Sequence, residues 1–192
     1  MKISIFGHSY VRDLQQLGNE YISLGSERAF LNYFAFPGSS YHTFLLNPNL
    51  LSSLIDSAPD VLVVILGGND LKVNIDLNDV KSDCASLFRL LREKLPNVYI
   101  IAAQVEIRHS NRVNRHGSPA ADLYRKLAVN FNKWLARQSF KNKLLLVNGK
   151  NKLYERSFFR EDGVHLNSQG LNLYFDLLKF CILGIPALTN KL

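Results

Sequence analysis

Short apolar runs alternate along this chain with stretches whose apolar residues recur every three or four positions. That alternation predicts a layered α/β domain with a largely parallel sheet. DVLVVIL at 60–66 and NVYIIAAQV at 97–105 are unbroken and rich in β-branched residues, as strands covered on both faces are. KISIF at 2–6 and KLLLV at 143–147 read the same way, and ERAFLNYFAF at 27–36 holds a weaker fifth strand.

Between these runs, Leu77, Val80, Cys84, Leu87, Leu91 and Leu95 recur at spacings of three and four, predicting a helix over about 76–95 with one apolar stripe. A second helix is expected from Pro119 to about Arg137, with Leu123, Leu127, Phe131, Trp134 and Leu135 inward. A third follows Asn167, with Leu171, Tyr174, Leu178 and Cys181 inward, and closes near Gly184 ahead of Pro186. These stripes read as core packing with no cofactor role. No repeat, low-complexity stretch or linker interrupts the pattern, so residues 1–192 are taken as a single domain.

Composition narrows the picture. A chain of 192 residues with 47% hydrophobic content can bury one good core. Cys84 and Cys181 stand far apart, with the spacing of neither a metal site nor a disulfide framework. They are expected to be core thiols in a reducing compartment, and no metal or other cofactor is expected. MKISIF is too short and too poorly flanked for a secretory signal, and no apolar run approaches a membrane span, which points to an intracellular protein. A net charge of +7 and a pI of ≈ 9.5 favour anionic partners, whether nucleic acid, a phospholipid surface or an acidic substrate. Charge does not choose among them, and it fits an ordinary basic protein equally well.

In an open parallel sheet, ligands bind outside the carboxyl ends of the strands. The residues there are Gly7-His8-Ser9, Pro37-Gly38-Ser39-Ser40, Gly67-Gly68-Asn69-Asp70 and, across a longer loop, Asp162-Gly163-Val164-His165. A serine hydroxyl needs a base within hydrogen-bond reach to become a nucleophile, and usually a carboxylate to orient that base. Asp162 and His165, three residues apart in a turn entering a helix, can supply both. A tetrahedral intermediate also needs donors aimed at its oxyanion. Glycines at 38 and 68 let the backbone approach a ligand closely, and Asn69 offers a side-chain N–H.

These blocks, in this order and spanning almost the whole chain, resemble the SGNH, or GDSL, hydrolases. The resemblance implies a three-layer flavodoxin-like SGNH-hydrolase fold with a central, mainly parallel five-stranded sheet, hydrolysis of esters or thioesters, and no metal. It assigns Ser9 as nucleophile, Asp162 and His165 as its triad partners, and the Ser9 backbone N–H, Gly38 and Asn69 as the oxyanion hole. Two positions depart from the family pattern: His8 stands where an aspartate is usual, and Tyr10 where a leucine is usual. Neither supplies nucleophile or base, so the departures bear on the hydrogen bonding of the first loop. The ordinary α/β-hydrolase pattern is not met, for lack of a mid-chain Gly-x-Ser-x-Gly elbow. Within the superfamily, a short basic chain opening IFGHSYVRDL resembles the esterase domains in the first open reading frame of some LINE-type retrotransposons and their relatives in animal genomes.

Each residue also has a plainer role open to it. Ser9 could cap the helix starting near Tyr10, His165 could be a satisfied histidine at a helix start, and Asp162 and Asn69 could simply form turns. Asp70 is expected to brace its loop. His8 could support the site, contact substrate or lie exposed, while His42 and His116 read as surface residues. RHSNRVNRHG at 108–117 gathers Arg108, Arg112 and Arg115, either as a solvated loop or as a mobile flap beside the site contacting an anionic substrate, phospholipid headgroups or nucleic acid. Lys141, Lys143, Lys150, Lys152, Arg156 and Arg160 would add a positive rim, with Tyr154, Phe158 and Phe159 among them as core, acyl-pocket lining or stacking platforms. The expectation is a serine esterase for a small, acetyl-like or lipid-borne ester. Its rivals are a basic module of the same fold binding nucleic acid or anionic membrane, and an assembly domain of a larger polyprotein.

Overall fold

The computed structural model describes residues 1–24, 27–72, 74–109, 121–142, 145–147 and 155–185. The strands are β1 (Lys2–Gly7), β2 (Tyr21–Leu24), β3 (Glu27–Ala35), β4 (Val61–Ile65), β5 (Tyr99–Ala103) and β6 (Leu145–Val147). The helices are α1 (Ser9–Gln15), α2 (Tyr41–Leu46), α3 (Ser52–Asp56), α4 (Leu77–Lys94), α5 (Ala121–Asn142) and α6 (Ser168–Leu183). The strands form one sheet in the order β2-β3-β1-β4-β5-β6, parallel except for β2. The five parallel strands are the five expected, in the flavodoxin-like order. The antiparallel edge strand β2 is an addition; it has four residues, and of Tyr21, Ile22 and Ser23 only Ile22 is buried, too short an alternation to stand out.

Alternation along the strands splits the core into two halves. Ile3, Ile5, Val61, Val63, Ile65, Ile101 and Ala103 face α1 and α6 through Val11, Leu14, Leu171, Tyr174, Leu178 and Ile182. Phe6, Leu62, Val64, Ile100 and Ala102 face α2 to α5 through Phe44, Leu54, Val80, Leu87, Leu91, Ala128 and Phe131. Helices therefore cover both faces of the sheet, and β4 is apolar and buried at every position because each side chain has a helix to meet. β3 is the longest strand; it alternates, with Ala29 and Leu31 buried and Phe30 exposed, because the helical layers thin toward that edge.

The helix stripes match expectation in α4 and α6. In α5 Tyr124, Ala128, Phe131, Asn132 and Leu135 are buried and Leu127 and Trp134 pack partly buried against the core, whereas Leu123, expected inward, is exposed. Only the first turn departs from the expected stripe, Tyr124 taking the inward place of Leu123. No helix among the described residues is long and apolar enough to cross a membrane.

Candidate functional site

β1 ends at Gly7, whose φ of +153° and contact with the Ile65 carbonyl oxygen, where any Cβ would collide, admit only glycine. From there His8 N–H donates to Ile65 O at 3.2 Å, and the chain turns at once into α1. The residue capping that helix is His8, not Ser9: its Nδ1 accepts from the Tyr10 N–H at 3.4 Å. Ser9 opens the helix with its hydroxyl directed to His165.

His165 sits in a tight loop before α6. Its Nε2 lies 3.2 Å from Ser9 Oγ and its Nδ1 2.7 Å from Asp162 Oδ2. The other Asp162 oxygen accepts from the N–H groups of Val164 at 2.8 Å and His165 at 2.9 Å. Desolvation by partial burial raises the Asp162 pKa, but the hydrogen bonds from the His165 ring and from these two N–H groups outweigh it and hold the carboxyl below its ordinary range. A carboxylate at Nδ1 keeps that nitrogen protonated and leaves Nε2 free to accept the serine proton.

Two arginines expected in a positive rim are exposed and also hold this loop together. Arg156 donates to the carbonyls of Phe159, Arg160 and Glu161. Arg160 donates to Leu166 O at 3.0 Å and pairs at 3.3 Å with Asp13, a buried carboxylate on α1 that also holds Arg12. The loop bearing Asp162 and His165 is thus fastened to the helix bearing Ser9.

Opposite them, Asn69 Nδ2 donates to Ser39 O at 2.9 Å and its Oδ1 receives Arg108 Nη2 at 3.4 Å, so both ends of the amide are oriented. Asp70 braces the same loop by accepting from Tyr41 N–H at 2.9 Å. Gly38 adopts φ +84°, and a side chain there would meet no atom within 4 Å, so its peptide borders open space. The N–H groups of Ser9 and Gly38 have no acceptor among the described residues.

Behind the serine lies a polar cluster that sequence reasoning did not assemble. His8, Tyr10, Glu106, Arg108, Tyr124 and Tyr174 line one cavity of ≈ 10 Å³, room for about one water. Burial, with Arg108 and His165 nearby, lowers the His8 pKa to about 3, so its ring is neutral. Burial also raises the Glu106 pKa to about 8. The Arg108 guanidinium lies 4.7 Å from the centre of the Tyr124 ring, and His109 N–H, on the same segment, donates to Gly163 O at 2.7 Å. A carboxylate immediately beyond an apolar strand was the available signal for Glu106. His42 is exposed, as expected, and meets Asp83 at 3.0 Å. Phe159 is core, Cys84 is buried and Cys181 is half-buried. Arg112, Arg115, His116, Lys143, Lys150, Lys152 and Tyr154 lie outside the described residues, as does the Lys141 side chain. Among the described residues no group of three His, Cys, Asp or Glu side chains could hold a metal ion.

The model of the GDSL-like lipase/acylhydrolase family matches residues 6–173. Among solved structures, a lipase/acylhydrolase from Enterococcus faecalis is similar at TM-score 0.71 and 18% identity, covering 95% of each chain. The acetyl xylan esterase AlAXEase is similar at TM-score 0.64 and 16% identity, covering 96% of this chain and 100% of its own. A carbohydrate esterase family 3 protein from Talaromyces cellulolyticus is similar at TM-score 0.70 and 13% identity, covering 99% of each. At these identities the likeness is one of fold. The search of curated proteins found no match.

Proposed function

The chain belongs to the GDSL-like lipase/acylhydrolase family, and on that premise we propose that it is a serine esterase for short-acyl, acetyl-like esters. The observation that carries the reading is the hydrogen-bonded series Ser9 Oγ, His165 and Asp162, at 3.2 Å and 2.7 Å. His165 Nε2 takes the Ser9 proton as Oγ attacks the ester carbonyl, while Asp162 holds the ring and stabilises the imidazolium. The Ser9 and Gly38 N–H groups and Asn69 Nδ2 receive the oxyanion. His165 then protonates the departing alkoxide, leaving an acyl-Ser9 ester, and the same nitrogen activates the water that hydrolyses it.

A short acyl group is favoured because a compact domain leaves little room for a long enclosed acyl tunnel, and the space among His8, Tyr10, Tyr124 and Arg108 amounts to only ≈ 10 Å³. Acetylated and small lipid-borne esters both belong to this class. The narrower likeness to retroelement esterase domains rests on IFGHSYVRDL and leaves the chemistry unchanged. Arg156 and Arg160 hold loop carbonyls and Asp13 yet stay exposed, so a nucleic-acid or anionic-membrane partner can still reach them. The test is hydrolysis of p-nitrophenyl acetate together with labelling by a fluorophosphonate probe. Both should be lost in Ser9→Ala and in His165→Ala, and equal hydrolysis by wild type and Ser9→Ala would refute the mechanism.

A further inference from the structure

We propose that Tyr10 is a positioning residue that sets the register between the nucleophile and its base; the inference rests on the esterase reading above. Its phenol O–H donates to Val164 O at 2.7 Å, across 154 positions of sequence. That carbonyl and the His165 N–H belong to one peptide unit, which is planar. Asp162 Oδ1 holds the N–H end at 2.9 Å and Tyr10 holds the C=O end, so the plane from which the His165 Cα departs is gripped from both sides. Tyr10 is the covalent neighbour of Ser9, so the grip spans the two halves of the site in a single link: Ser9, Tyr10, the 164–165 peptide, His165.

The side chain is built for this task. It is 5% exposed, and its ring meets Tyr174 edge-on at 6.0 Å and His8 at 5.3 Å, which leaves the ring no free rotamer. Its own N–H is capped by His8. Burial, and next the nearby Glu106 carboxyl, keep the phenol protonated and therefore a donor. The two departures from the family pattern are thus one device: His8 starts the helix and steadies Tyr10, and Tyr10 ties that helix to the loop of its base. A leucine at position 10 could pack there but could not hold the carbonyl.

The experiment compares wild type with Tyr10→Phe, which keeps the ring, and Tyr10→Leu, which restores the family residue. Steady-state hydrolysis of p-nitrophenyl acetate, the fluorophosphonate labelling rate of Ser9, thermal unfolding and water exchange of the low-field His165 Nδ1 proton are read in each. Tyr10→Phe should lower kcat and the labelling rate together by roughly 10- to 100-fold, the cost of a misplaced catalytic group, with KM within about twofold. The His165 proton should exchange faster. Unchanged kcat, labelling and exchange with only a lower Tm would overturn the proposal, since that is what a packing role alone gives. Should wild type neither hydrolyse the ester nor take the label, the esterase reading falls; the exchange of the His165 proton then decides alone, faster in Tyr10→Phe sustaining the positioning role and unchanged refuting it. Should Tyr10→Phe fail to fold, Tyr10→Leu carries the same readouts.

Discussion

Replacing Glu106 by glutamine removes a buried titrating group while keeping its shape. Glu106 is 8% exposed, just beyond β5, and faces His8, Tyr10, Arg108, Tyr124 and Tyr174, with no cation paired to it among the described residues. Its pKa rises from 4.5 to about 8 because water is withdrawn from the carboxylate. At about 1.4 kcal/mol per unit, the difference amounts to about 5 kcal/mol. Below pH 4.5 both states are protonated, and the full stability is present. As pH rises the unfolded chain releases its proton first, so folding must take one up, and stability falls until the folded group ionises near pH 8. Two neighbours act in the same range. Asp70, raised by burial to about 7, adds a fall that ends there. His8, lowered to about 3, adds a rise that ends near 6.5. Between about pH 7 and 8, Glu106 therefore sets most of the remaining slope among these three groups. Urea denaturation of wild type and Glu106→Gln at intervals from about pH 4.5 to 9 isolates it: the stability of the variant relative to wild type should grow by about 5 kcal/mol over the range and level off above about pH 8. A constant difference would show that the carboxyl titrates normally, and the account of the buried cluster would be wrong.

Asn69→Ala should lower kcat by about 10²- to 10³-fold with little change in KM, because the amide is proposed to serve the oxyanion more than the ground-state ester. Steady-state kinetics on p-nitrophenyl acetate decide it. Asn132→Leu should cost roughly 2–6 kcal/mol, since the buried Val105 N–H and C=O are both left without a partner; the Asn132 amide now meets each at 2.8 Å. Chemical denaturation at fixed pH measures it, and a loss below about 1 kcal/mol would mean that other groups satisfy Val105.

Much of the fold was legible because its information is local. Unbroken β-branched runs marked the central strands, and three-and-four spacing marked α4 and α6. The errors fall where local pattern and tertiary setting part. Tyr21–Leu24 is too short to announce itself, and it is a strand because β3 offers an edge to pair with. Leu123 is more apolar than its neighbour Tyr124, but the space beside Gly68 and Arg108 takes the larger ring.

For the site, sequence alone determined which residues stand at strand ends and which chemistry their types permit: a hydroxyl, an imidazole three residues from a carboxylate, an amide after two glycines. It offered Ser9 as the cap of α1, where the structure has His8, because either side chain can accept a hydrogen bond from a helix N–H. Nor could it say what His8 and Tyr10 do in place of the usual aspartate and leucine. Tertiary structure decided these points. It engaged Arg156 and Arg160, both still exposed, with loop carbonyls, gathered Glu106 with the buried tyrosines, and set the Tyr10 hydroxyl against a peptide 154 positions away. The physical reason is that a hydrogen bond depends on where two groups meet, and Tyr10 meets Val164, and Arg160 meets Asp13, only because the fold brings the loop before α6 against α1.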